Sequence, residues 1–108
     1  MIKVSRTKVS RPEHVRILGR DFNVKYTALD DGMITLGLMQ YNSMVINIRE
    51  GQEKLEERDT FLHETIHALS DTMCLELNET QVTALAHGLI AIFEDNDPAV
   101  SKYITGTN

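Results

Sequence analysis

A single cysteine, Cys74, stands in 108 residues, so no internal disulfide can staple this chain and its stability has to come from a packed core. A chain of this length can bury such a core as one domain. Residues 1–108 are expected to form one, with residues 1–12 as a flexible arm or an edge strand. The lack of disulfides fits a reducing cytoplasm. No apolar run is long enough to cross a bilayer, and no basic-then-apolar leader opens the chain, so neither a membrane nor an export route is expected. Basic residues are outnumbered 11 to 16 by acidic ones, for a net charge of -5. Without a basic block, that balance argues against a nucleic-acid surface. There is no internal repeat and no low-complexity stretch. Hydrophobic residues make up 42% and charged residues 25%, the balance of an ordinary globular protein.

What is present is His63-Glu64-Thr65-Ile66-His67. On a helix, residues four apart are about one turn apart, so both imidazoles reach the same point off one face. Two neutral imidazoles and one further ligand can hold zinc with a position left open for water. A glutamate beside the first histidine can take that water's proton, because zinc lowers the water's pKa towards about 7. Five residues carry weight only in context. The segment must be a helix, preceded by a strand and followed by a further carboxylate; otherwise it is a surface helix that happens to hold two histidines.

The chain in order supplies that context. Residues 1–12 are polar and basic, and Pro12 marks a break. His14 is expected to face solvent. Val15–Leu18 and Phe22–Thr27 read as strands about a turn at Gly19-Arg20-Asp21, with Phe22, Val24 and Tyr26 on one face. Asp30-Asp31-Gly32 is a turn signal. Met33–Met39 reads as extended, with Gly37 marking a bulge or a close backbone approach. Tyr41-Asn42-Ser43 is a further turn, and Met44–Ile48 is a strand with Met44, Ile46 and Ile48 on one side. The fold class is therefore α+β: a small, mostly antiparallel sheet in the N-terminal half, packed on the His-Glu helix and a second, C-terminal helix.

The first helix is expected over Glu53–Met73, its apolar stripe formed by Leu55, Leu62, Ile66, Leu69 and Met73. His63 and His67 fall roughly 85° and 125° from the centre of that stripe, at the edge of the core. Thr60 and Thr65 read as ordinary helix-face residues, and Cys74 as a small packed side chain rather than a ligand. Asn78 is a good N-cap for the second helix, with Gln81 placed to complete a capping box. That helix runs to about Glu94, where Asp95-Asn96-Asp97-Pro98 stops it. A short turn of helix around Val100 and Tyr103 follows.

Two residues of the second helix compete as third ligand. His87 follows His67 by twenty residues, a spacing found in thermolysin-like patterns. Glu79 opens the helix. Relative to the apolar stripe centred near Leu89, Glu79 lies about 75° away and His87 about 155° away. Glu79 can thus face the first helix while His87 points to solvent. Glu79 also has a purely structural reading, as a carboxylate at the positive end of the helix dipole. His87 stays the alternative ligand.

These segments resemble the short phage and prophage zincin-like proteins related to the ImmA/IrrE-type metallopeptidases. The resemblance is carried by Ile17-Leu18-Gly19-Arg20, by Ile46-Asn47-Ile48 and by Thr60-Phe61-Leu62-His63-Glu64-Thr65-Ile66-His67-Ala68-Leu69. It continues through Leu77, Glu79, Val82, Leu85, Ala86, Gly88 and Leu89 of the second helix, and spans residues 15–98. The chain departs from the group at Thr65, where an apolar residue is usual, and at Asp95-Asn96-Asp97-Pro98, which is one residue longer. The resemblance implies a minimal gluzincin: a curved sheet over an active-site helix, with His63, His67 and Glu79 as zinc ligands and Glu64 as general base. It also implies a phage- or prophage-encoded protein acting in a bacterial cytoplasm.

Zinc-dependent peptide-bond hydrolysis is then the expected activity, on a protein or peptide substrate. An exposed sheet edge, either Met33–Met39 or Met44–Ile48, would hold the substrate as an added strand. Tyr41 is a candidate to stabilise the oxyanion, and Tyr26 and Tyr103 are expected to pack. The alternative class is a zinc-binding, non-proteolytic interaction or regulatory module. Small size favours that alternative, whereas an intact Glu64 disfavours it, since purely structural zinc sites prefer four protein ligands.

Overall fold

The computed structural model describes residues 10–28 and 36–107. The chain runs β1 (His14–Ile17), β2 (Arg20–Thr27), β3 (Gly37–Gln40), β4 (Val45–Arg49), α1 (Lys54–Met73), α2 (Glu79–Asp95) and α3 (Ala99–Thr105). The four strands form one mixed sheet in the order β1-β2-β4-β3. This is the α+β architecture expected from the sequence, an N-terminal sheet packed against helices.

Local chemistry explains the strands. In β2, Phe22 and Val24 are buried while Asn23 and Lys25 are exposed, the period of two that a one-sided strand requires. Ile46 and Ile48 of β4 are fully buried on the same core as Phe22. Fully burying one such side chain contributes about 1.5–3 kcal/mol. β1 and β2 form an antiparallel hairpin in which Ile17 pairs with Arg20. The turn is therefore Leu18-Gly19, one residue earlier than Gly19-Arg20-Asp21. Both turn residues have positive φ, 47° and 86°, as the twist of a two-residue hairpin demands. Leu18 tolerates this conformation with its side chain left in solvent.

Two of the three strand pairings are antiparallel, but the central one, β2 with β4, is parallel. β4 slots between β2 and β3, so among the described strands it is interior and β3 lies at an edge. Of the two strands expected to offer an open edge, Met44–Ile48 is therefore excluded. Met44 itself lies in the left-handed region (φ 54°) just before β4, which spans Val45–Arg49. Residues 29–35, which hold the expected Asp30-Asp31-Gly32 turn and the start of Met33–Met39, lie outside the described residues, as do residues 1–9 of the N-terminal segment. The piece that follows is tied down. Glu13 accepts from the Val24 N–H, Pro12 accepts from the Tyr26 hydroxyl, and the Arg11 guanidinium stacks 4.0 Å from the Tyr26 ring. Arg11 also bridges Glu50 and Glu57.

α1 carries two buried faces rather than one stripe. Thr60, Glu64 and Ala68 lie under the sheet, flanked by Phe61 and Leu69. Ile66, with Leu62 beside it, packs against Val82, Ala86 and Leu89 of α2. The ends of the expected stripe, Leu55 and Met73, are half exposed because neither layer extends that far. Among the described residues α2 touches α1 and α3 but no strand, so α1 is the plate between the sheet and the other helices. Tyr103, expected to pack, is 88% exposed on α3.

α2 starts as its sequence dictates. The Asn78 side chain accepts from the Gln81 N–H at 2.8 Å, and the Gln81 side chain accepts from the Asn78 N–H at 2.9 Å. Just upstream, the buried Ser70 hydroxyl accepts the Leu77 N–H, fixing how the chain enters that cap. α1 ends less economically. Cys74 adopts the left-handed conformation (φ 55°) that closes the helix, with the Leu75 N–H returning to the Ser70 carbonyl. A left-handed residue at this position is usually glycine. Cys74 is exposed there, contrary to the packed side chain expected.

Cys74→Gly should therefore stabilise the protein. Relief of the left-handed cost is worth up to about 1 kcal/mol, seen as a thermal midpoint raised by about 4–8 °C. A midpoint unchanged or lowered in a thermal melt would show that the cap carries no such cost.

Candidate metal centre

The middle of α1 and the start of α2 bring three side chains to one point. The Glu79 carboxylate spans both imidazoles: Oε2 lies 3.2 Å from His63 Nε2, and Oε1 meets His67 Nε2. The two rings are edge to face, with centroids 4.9 Å apart. One ligand atom from each of His63, His67 and Glu79 falls within 4.8 Å of the others, a group that could hold a metal ion. The donor set fits zinc. Tetrahedral ligands at about 2.0–2.1 Å from a zinc ion sit about 3.3 Å from one another, close to the His63–Glu79 separation. Both histidines are half-buried, with side chains 18% and 23% exposed, whereas Glu79 is 73% exposed. The group is therefore open to solvent on the Glu79 side.

His87 is placed elsewhere. Its Nε2 pairs with Asp59 Oδ2 at 3.1 Å, one turn before His63 on α1, and it does not join the group. Sixty-three per cent of its side chain is exposed, in keeping with the helix-face reading. Cys74 and His14 lie outside the group as well. Tyr41 packs its ring against Phe22 and beneath the Arg20 guanidinium, 4.6 Å away, and its hydroxyl makes no hydrogen bond to His63, His67 or Glu79. Arg11 and Tyr26 line a separate cleft with Glu57 and Phe61, and it shares no residue with the group.

Glu64 occupies a different environment from its neighbours. It is 8% exposed, on the face of α1 that lies under β3. Burial pushes its carboxyl above the usual range, opposed by the flanking histidines and by a hydrogen bond from the Met39 backbone N–H. Glu79 adds to the upward shift by its like charge. A carboxyl with a raised pKa, beside two imidazoles, is suited to accept a proton and give it up again.

The sequence reading missed how the strand reaches this carboxyl. A Cβ on Gly37 would lie 2.6 Å from Thr60 Cγ2 and 3.0 Å from Glu64 Cγ. Only glycine lets β3 lie this close, so Gly37 marks a close backbone approach, one of the two roles expected of it. Thr60 is likewise no ordinary helix-face residue; it is 6% exposed in the same contact. Gly37 was the one signal in the sequence that pointed to this packing.

Comparison with protein-family models, with curated protein sequences and with solved structures finds no match. Among the described residues, no helix is long and apolar enough to cross a membrane.

Two measurements test the centre. Elemental analysis after gentle purification should find about one zinc per chain in the wild type and in His87→Ala, and little in Glu79→Ala, since three protein ligands define such a site. Loss of metal with His87→Ala alone would overturn the assignment of Glu79.

The second concerns pH. Folding raises the Glu64 pKa above its ordinary value of 4.5, so the folded state binds more protons than the unfolded state just above that pH. Stability of the metal-free protein should then fall as pH rises through the window above 4.5. Metal-free Glu64→Gln, which has no charge to bury, should melt higher than the wild type at neutral pH and lose that advantage below pH 4.5. Equal melting at neutral pH would contradict the burial cost.

Proposed function

We propose that this chain is a zinc-dependent metallopeptidase, with His63, His67 and Glu79 as metal ligands and Glu64 as the proton-transferring base. The observation that carries the reading is the convergence of the three donors beside a buried carboxyl at the neighbouring position. Zinc, when bound, would supply Lewis acidity to a water molecule and to the carbonyl of the scissile peptide.

The chain's own residues account for the rest. Glu64 takes the proton of the attacking water and passes it to the leaving amine. Its two states are balanced by burial on one side and by the histidines and the Met39 N–H on the other. The edge that β3 presents among the described residues offers a place for the substrate. The Arg49 N–H donates to the Leu36 carbonyl, so by alternation Gly37 and Met39 turn their backbone groups away from β4; the Met39 N–H meets Glu64, which leaves the Gly37 N–H and C=O and the Met39 C=O to face a substrate. An extended peptide could add there as a further strand, its backbone passing next to Glu64. The half-exposed side chain of Leu38 lies on the opposite face of β3 from Gly37 and Met39. The resemblance to phage and prophage zincin-like proteins agrees with this chemistry, and with a role in a bacterial cytoplasm.

Glu64→Gln should keep about one zinc per chain and lose cleavage of a peptide library by about 10²–10⁴-fold, the usual contribution of a general acid–base group. A zinc-loaded wild type that cleaves nothing across a broad library would instead favour the non-proteolytic metal-binding module.

A further inference from the structure

Gln52 lies between the end of β4 and the start of α1, and every hydrogen-bonding atom of its amide is engaged. Nε2 donates to the Arg49 carbonyl at 2.9 Å and to the Leu36 carbonyl at 3.2 Å. Oε1 accepts from the Thr60 hydroxyl at 2.9 Å. A flipped amide would set its oxygen against two carbonyls, so the contacts themselves fix the orientation.

These three partners belong to three elements. Arg49 ends β4, Leu36 immediately precedes β3, and Thr60 sits on α1. The Arg49 N–H also donates to the Leu36 carbonyl at 2.9 Å, so Gln52 braces the last rung of the β3–β4 ladder. Thr60 is the residue whose methyl group abuts Gly37. One side chain thus ties the edge strand to its neighbour and to the helix beneath, at the point where strand and helix come closest. β3 is only four residues long and, among the described residues, is paired on one side. Short edge segments of this kind lie at the low end of local stability unless something holds them.

We propose that Gln52 is a positioning residue: it locks β3 over Glu64 and so presets the edge on which an extended peptide would be seated. The inference rests on the peptidase reading for its consequence in catalysis. Seating a peptide on a strand that is already fixed avoids the cost of ordering that strand at the moment of binding. Gln52 touches neither the metal ligands nor the reacting groups, so its loss should weaken binding and leave the metal and the chemical step in place.

The test uses the full-length, zinc-loaded chain as wild type, Gln52→Leu and Thr60→Val. Thr60→Val keeps the methyl group under Gly37 and removes only the hydroxyl donor. Amide hydrogen exchange at Leu38 and Gln40, which pair with β4, should accelerate by about tenfold or more in Gln52→Leu, with β1, β2 and α1 amides within about twofold of wild type. Thr60→Val should shift the same amides in the same direction by less. With a peptide that the wild type cleaves, Gln52→Leu should raise KM by about tenfold and leave kcat within about threefold. Its zinc content should be unchanged.

Unaltered β3 exchange would overturn the proposal. So would acceleration spread evenly over sheet and helices, or a loss confined to kcat. If the zinc-loaded wild type cleaves no peptide, the peptidase reading fails by itself, while the exchange pattern still decides whether Gln52 clamps the strand.

Discussion

A missing side chain sets the geometry of this protein. β3 passes over α1 at Gly37 with no room for a single added carbon, and that approach buries Glu64 and Thr60 beneath it. Had the position carried a Cβ, the strand would have to rise, and the Met39 N–H would move away from the carboxyl it now meets. The ionisable group next to the two histidines therefore owes its environment to steric contact rather than to its immediate sequence neighbours. Burial of a carboxyl is costly unless something is gained in return, and that cost is what sets Glu64 apart from the exposed carboxylates of the chain.

α1 is the element on which both halves of the molecule meet. Its sheet-facing side presents Glu64, and the side towards α2 carries Ile66; the two histidines lie where Glu79 of α2 can reach them. Glu79 is delivered by a short chain of local devices. The left-handed closure at Cys74 ends α1, Ser70 catches the Leu77 N–H, and the Asn78–Gln81 capping box starts α2 with Glu79 as its first residue. Each of these is a backbone-satisfying interaction, and together they leave little freedom in where the carboxylate emerges.

Much of this was legible in the sequence, for physical reasons that are local. The span of α1, the capping box, the inward faces of β2 and β4, and the placement of Glu79 rather than His87 beside the two histidines all follow from residue period or from contacts within a few residues. What was not legible depends on contacts far apart in the chain. The insertion of β4 between β2 and β3 makes the central pairing parallel, and no turn signal encodes it. The burial of Thr60 and Glu64 depends on which strand crosses the helix, so periodicity alone placed Thr60 on an ordinary face. The end of α1 was hidden in another way, because a cysteine occupies a conformation that glycine usually announces.

One consequence of the layering concerns mass action. Among the described residues α2 contacts α1 and α3 but no strand, so its hold on the rest of the fold passes through one helix–helix face. An ion bound by two residues of α1 and one of α2 would act as a cross-link across that face. Any ligand that binds only the docked arrangement stabilises it by RT ln(1 + [L]/Kd), about 4 kcal/mol at a thousandfold excess over Kd. The sheet and α1 carry a core of their own, built on Phe22, Ile46 and Ile48. On the proposed reading, the attachment of α2 and α3 would therefore track the free metal concentration around the protein, while the sheet half stayed largely indifferent to it.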